Sequence, residues 1–294
     1  MMSISVTRRQ FVGTTLAVGL GTQAFVPRAL ADKTERMRIG LVTYLWGQDW
    51  DLPTLIANCE KTGVLGVELR TQHKHGVESS LTVAERKEVR QRFEDSSVTL
   101  LGPGTNWEFH APDPQELQSN IDHAKEYVKL SYDCGGSGVK VKPNTLPANV
   151  PVEKTIEQIG QSLNEVGRFA ADLGQEIRVE VHGRQTQQLP IMKRIMDVAT
   201  EKNVTVCWNC NQVDLQGEGL EYNFNLVKSR FGDTVHVREL QDENYPYAQL
   251  FELLVANDYT GWILLECRTN PDDRIAALIE QRHIFEKFVQ QARA

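Results

Sequence analysis

The chain has 294 residues, 40% hydrophobic and 24% charged, with a net charge of −7, which excludes a disordered or low-complexity protein and leaves ample material for a core. The acidic balance speaks against nucleic-acid binding, which needs basic patches, and suits a neutral or cationic small molecule. The five cysteines are odd in number and irregular in spacing, so they form no disulfide framework.

At the N-terminus, Thr7-Arg8-Arg9-Gln10-Phe11 is a twin-arginine pattern. A mild apolar run from Phe11 to Val26 follows, and Ala29-Leu30-Ala31 offers a small-x-small cleavage site. Residues 1–31 therefore read as a twin-arginine signal peptide and 32–294 as the mature domain, exported to the periplasm, or membrane-anchored if the signal is kept. Cleavage removes three arginines and takes the net charge to −10. No later stretch approaches ~20 apolar residues, so no stable membrane insertion of the mature chain is expected.

From Met37 onward, β-rich runs alternate with amphipathic segments. The predicted strands are 37–45, 65–70, 98–104, 138–144, 177–183, 204–210, 234–240 and 262–268. The predicted helices are 51–62, 82–95, 114–132, 152–173, 188–202, 219–231, 247–257 and 272–291. Asp51 and Asp113 are N-cap candidates with prolines in the first turn, and Gly63 and Gly174 are C-cap candidates. Eight strand-then-helix units in about 260 residues predict a single α/β domain, a (β/α)₈ TIM barrel. An open doubly wound sheet is the weaker reading, because no G-x-G-x-x-G follows the first strand.

Parallel strands are buried on both faces, so polar residues on them need a reason. Alternation puts Glu68 and Arg70, Lys140 and Lys142, then Arg178, Glu180 and His182 on one face of their strands. It does the same for His236 and Arg238, and for Glu266 and Arg268. That face lines the barrel interior, toward the C-terminal mouth where TIM-barrel sites sit. On the sixth strand Thr205, Cys207 and Asn209 point inward. Cys207 and Cys210 are three residues apart, point to opposite sides, and so form neither a zinc site nor a redox pair. Glu180, Asn209, His236 and Glu266 thus converge, a donor set suited to one divalent ion such as Mn²⁺, Mg²⁺, Co²⁺ or Zn²⁺. Two carboxylates at one mouth repel, and a cation resolves the conflict. Salt bridges to Arg238, Arg268 or Lys142 would also resolve it. His182 reads equally as a ligand or a non-ligand. Glu68 reads as deep, paired with Lys140 or Arg70.

The motifs GVELR (66–70), EFHAPDP (108–114), GVKVKPN (138–144), VEVHG (179–183), VHVREL (235–240) and DYTGWILLE (258–266), in this order, resemble the xylose-isomerase-like TIM barrels, the sugar phosphate isomerase/epimerase group. The resemblance implies one divalent metal held by Glu180, Asn209, His236 and Glu266, with Glu180 and Glu266 as the acid–base pair. It implies substrate contacts from Gln212 and Arg238. Asn209 stands where the family has Asp, and Gln212 where its epimerases have His. The first change removes a negative charge and weakens metal affinity. Lys142 and His182, with Arg238, would orient hydroxyls or stabilise an oxyanion, and His110 could gate the mouth. The implied activity is a metal-dependent sugar or polyol isomerase or epimerase, moving a proton next to a carbonyl through an enediolate. Alternatives are a lyase cleaving 3-keto-glycosides and a non-catalytic sugar binder. A small carbohydrate is the expected partner. Nucleic acid is not expected, and an oligomer is left open.

Overall fold

The computed structural model describes residues 37–294. The twin-arginine pattern and the cleavage site at residues 29–31 lie outside the described residues. Eight parallel strands close in chain order: β1 (Arg38–Val42), β2 (Gly66–Arg70), β3 (Thr99–Glu108), β4 (Gly138–Lys142), β5 (Glu176–Glu180), β6 (Val204–Asn209), β7 (Phe231–Val237) and β8 (Trp262–Leu265), with β8 pairing back onto β1. Around them lie α1 (Leu52–Thr62), α2 (Val83–Glu94), α3 (Pro114–Cys134), α4 (Val152–Ala171), α5 (Leu189–Val198), α6 (Leu220–Val227), α7 (Tyr247–Ala256) and α8 (Arg274–Ala292). This is the expected TIM barrel. No helix among the described residues is long and apolar enough to cross a membrane.

The caps follow from local chemistry. Asp51 accepts from the Thr54 amide and Asp113 from those of Gln115 and Glu116, satisfying amides that a helix start leaves unpaired. Gly63 ends α1 in the left-handed conformation. Gly174 is also left-handed, but it lies beyond the end of α4, whose cap residue is Asp172.

Among the boundaries that differ from expectation, three have a tertiary reason. Helix α5 stops at Val198 rather than near 202, because Arg230 donates to the carbonyls of Met196 and Ala199 and Asn164 donates to that of Val198. These side chains replace the next helical turn. Strand β7 starts at Phe231, inside the segment expected to be helical, since that ring packs edge-on against Trp208, Phe224 and Tyr259. Strand β3 runs on to Glu108, with a register shift that brings Glu108 beside Lys142.

Apolar residues alternate as read. Val139, Val141, Ile177, Val179, Val235, Ile263 and Leu265 belong to the main core cluster between strands and helices. A second cluster of Val42, Leu101, Trp262 and Leu264 fills part of the inside. Gly66 makes room for it: a Cβ there would overlap the Trp262 ring, over which the Arg38 guanidinium lies at 4.2 Å. With Arg178, buried and bonded to Leu101 O and Ser137 Oγ, these residues close the interior. Charged groups further along the strands are thereby left for the mouth.

Candidate active site

Glu180 ends β5, Asn209 ends β6, His236 is the penultimate residue of β7, and Glu266 directly follows β8. Asn209 and His236 are register partners, and the Glu266 amide continues the ladder by donating to Val237 O at 2.7 Å. All four residues are buried. Ligand atoms of Glu180, His236 and Glu266 lie within 4.8 Å of one another. The four positions picked out by alternation therefore meet at one point. Cys207 and Cys210 are free thiols with different surroundings: Cys207 is next to His236, whereas Cys210 sits with Asp214 and Tyr245.

The fixed charges are distributed differently from the expected salt bridges. Glu180 Oε2 lies 2.7 Å from Lys140 Nζ, not against Lys142 or an arginine, and this pair is fully buried. Asn209 Nδ2 donates to Glu180 Oε1 at 2.9 Å. The nitrogen end of the amide must face the carboxylate, because two oxygens would repel. Burial alone would push the Glu180 carboxyl up, but Lys140, then His236, outweigh it and hold the group well below the usual range. Glu266 is 3.6 Å from Arg70. Glu68 pairs with His236 Nε2 at 3.2 Å rather than with Lys140 or Arg70. The protein's own cations thus relieve much of the carboxylate repulsion.

His236 bears on the fit of a metal ion. Glu68 fixes Nε2, while Nδ1 is buried, has no hydrogen-bond partner, and lies 3.9 Å from Glu180 Oε1. A carboxylate on one ring nitrogen with the other left open is how metal-binding imidazoles are oriented. Burial opposes charging this ring, yet Cys207 and Glu68 favour the charged form and raise its pKa above the ordinary value. Glu180, His236 and Glu266 together fit a divalent ion, which must compete with Lys140 and Asn209 for Glu180 and with a proton for His236.

The other expected residues surround this centre. Lys142, the last residue of β4, is buried; burial and then Lys140 lower its pKa. His182 is outside the carboxylate–histidine group: its Nδ1 is 3.0 Å from Asn144 Oδ1, and burial pushes its pKa down to about 4. Asn144 also donates to Glu108, and His110 Nδ1 lies 3.6 Å from the other Glu108 oxygen, so His110 is tied into the rim on the far side. Gln212 is exposed and donates to Asn244 O. Arg238 follows β7, and its amide donates to Tyr247 Oη at 3.0 Å. A cavity of about 440 Å³ opens here, lined by His182, Arg184, Asn211, Gln212, Arg238 and Arg268 among others. Strand β8 ends at Leu265, so Arg268 belongs to an exposed loop and not to an inward strand face.

Sequence reasoning gave no site role to Lys140 or Asn144. Alternation had already put Lys140 inside, and burial of an ammonium there demands a carboxylate partner. Asn144 holds a left-handed φ of 54°, and no periodicity marks that.

A family model described as "Xylose isomerase-like TIM barrel" matches residues 56–285. The chain belongs to this family. Among solved structures, the barrel resembles an L-ribulose 3-epimerase (TM-score 0.75, 15% identity, covering 87% of this chain and 96% of that one). It also resembles the apo form of 3-keto-D-glucoside 4-epimerase, YcjR, from E. coli (0.73, 14%, 86% and 100%). A third similar structure is IolI protein with a bound zinc atom (0.70, 14%, 86% and 98%). At these identities the likeness is one of fold. No curated protein matches in sequence.

Proposed function

We propose that this barrel is a sugar isomerase or epimerase that moves a proton on the carbon next to a carbonyl. One observation carries the reading: Glu180, His236 and Glu266 bring ligand atoms within 4.8 Å of one another at the mouth, with His236 Nδ1 unpartnered between them. The solved relatives named L-ribulose 3-epimerase and 3-keto-D-glucoside 4-epimerase support it.

Glu180, His236 and Glu266 would hold the ion, with Asn209 beside them. A divalent ion there would polarise a carbonyl and its neighbouring hydroxyl, making the intervening C–H more acidic. Glu180, kept ionised by Lys140, accepts a proton from one face of the carbon. Glu266 returns one from the other face, which inverts the centre; return to the adjacent carbon gives isomerisation instead. Lys142 donates to an enediolate oxygen. His182 is neutral at pH 7 and turns its Nδ1–H to Asn144 Oδ1, so its Nε2 accepts from a substrate hydroxyl without adding a charge. The substrate is a small carbohydrate. Residues 1–31 would act as an export signal that brings the folded barrel to the periplasm.

The test is incubation of the chain with Mn²⁺ and ketoses or 3-keto-glycosides in D₂O. The expected result is deuterium next to the carbonyl without bond cleavage. Glu180→Gln and Glu266→Gln should each lower kcat by more than about 10²-fold. Release of an aglycone would replace this reading with a lyase. Absence of exchange with every sugar, alongside sugar-dependent thermal stabilisation, would leave only a binder.

A further inference from the structure

Beyond Lys142, the end of β4, the loop turns at Asn144, whose φ of 54° lies in the left-handed region that asparagine tolerates better than most side chains. Three contacts hold it there. Its Nδ2 donates to Glu108 Oε1, at the end of β3. Its Oδ1 faces His182 Nδ1, just beyond β5, at 3.0 Å. Its carbonyl meets the hydroxyl of Thr186, a fully buried side chain that also donates to His182 O at 2.7 Å. Gly183 leaves the space for this approach: a Cβ there would collide with Asn144 Oδ1 and Cα. A non-glycine residue in left-handed backbone, gripped from two neighbouring loops, is the kind of local strain that gathers at functional sites.

The hydrogens along this chain of groups have one consistent assignment. A carboxylate oxygen only accepts, so the nitrogen end of the Asn144 amide must face Glu108. The amide oxygen is then left toward His182, and an oxygen there requires a hydrogen on Nδ1. A neutral imidazole carries a single N–H, so Nε2 remains a bare acceptor. Nε2 makes no hydrogen bond within the protein among the described residues, and the ring lines the cavity of about 440 Å³ beside the carboxylate–histidine centre.

We infer that Asn144 is a positioning residue of this site: oriented by Glu108, it locks His182 in the tautomer with hydrogen on Nδ1, so that Nε2 faces the cavity as an acceptor for a free sugar hydroxyl. Neither Glu108 nor Asn144 touches the substrate in this account; both act through the ring of His182. The hydroxyl contact rests on the isomerase reading for the choice of sugar probe. The tautomer lock does not.

The test is nitrogen-15 NMR of the histidine-labelled, Mg²⁺-loaded chain at pH 7, with the His182 signals identified by their loss in His182→Gln. Nδ1 should resonate in the pyrrole-like range and Nε2 in the pyridine-like range. Glu108→Gln still offers an oxygen to the Asn144 amide and should keep this pattern. Asn144→Gly suits the left-handed backbone but removes the amide, and should mix the two tautomers. D-fructose should move the Nε2 signal upfield in the wild-type chain, and its affinity by titration calorimetry should fall ten-fold or more in Asn144→Gly. Hydrogen on Nε2, or on both ring nitrogens, in the wild-type chain overturns the inference, and that reading decides alone if Asn144→Gly does not fold. An unchanged tautomer in folded Asn144→Gly overturns it as well. An Nε2 signal that D-fructose leaves unmoved overturns the hydroxyl contact. The expected tautomer without deuterium exchange from any ketose supports the lock and removes the isomerase reading.

Discussion

At the residue scale, Lys140 decides the state of the centre. It is 0% exposed, bonds to Thr105 O at 3.0 Å, and faces Glu180 at 2.7 Å. Removing one partner of a buried pair leaves an uncompensated charge, so Lys140→Met should destabilise the fold by about 3–5 kcal/mol in chemical denaturation. Lys140→Met with Glu180→Gln should recover a large part of that loss, because the isolated charge goes as well. Equal losses in the single and double variants would mean that Lys140 acts through packing alone. The pair also accounts for Asn209, where the family resemblance implies Asp: with Asn in place, Glu180 has one cation on one oxygen and one amide donor on the other. Glu68 plays the corresponding part for His236, and its choice of partner was not readable from the strand pattern. Alternation says which face a side chain takes. It does not say which strand across the barrel supplies the neighbour.

At the scale of elements, the inward glycine of β2 and the turn after β6 make separate demands. Gly66→Ala would drive a methyl group into the Trp262 ring and should cost about 1–3 kcal/mol, read as a lowered Tm with the helical content kept. The turn at 212–215 is closed by Asp214, which accepts from the Asn211 amide at 2.8 Å and from Tyr245 Oη at 2.9 Å. Its Oδ1 has no partner, and burial pushes its pKa up to about 7, only partly offset by the Asn211 and Tyr245 hydrogen bonds and Arg238. The folded state therefore holds this proton more tightly than the unfolded state does. The resulting stabilisation is complete below the unfolded pKa of 3.8 and is lost as pH rises through about 7. Asp214→Asn should flatten the pH dependence of stability between about 4 and 7, by up to about 4 kcal/mol across that range, as measured by urea unfolding at several pH values. An unchanged profile would show that Asp214 titrates as an ordinary exposed carboxyl.

At the scale of the whole molecule, the barrel was legible because its signals repeat eight times. Each β-rich run is followed by an amphipathic segment, and some boundaries slipped where distant side chains intervened, as Arg230 and Asn164 do at the end of α5. The carboxylate–histidine centre was legible for the same reason: period two on strands of known direction sends Glu180, Asn209, His236 and Glu266 to one end. What the sequence concealed was pairwise. Lys140 rather than Lys142 meets Glu180, Arg70 meets Glu266, and three arginines from three loops share one cavity in an acidic protein. Those facts depend on which loops lie side by side, and loop neighbours across a closed barrel leave no periodic trace.

The most direct measurement is anomalous diffraction from crystals of the chain soaked in Mn²⁺. A single strong peak about 2.0–2.4 Å from oxygens of Glu180 and Glu266 and from His236 Nδ1 is the expected result, lost in the His236→Ala variant. No peak between these three residues at millimolar Mn²⁺, or Glu180 and Glu266 turned to different surfaces of the barrel, would contradict the account.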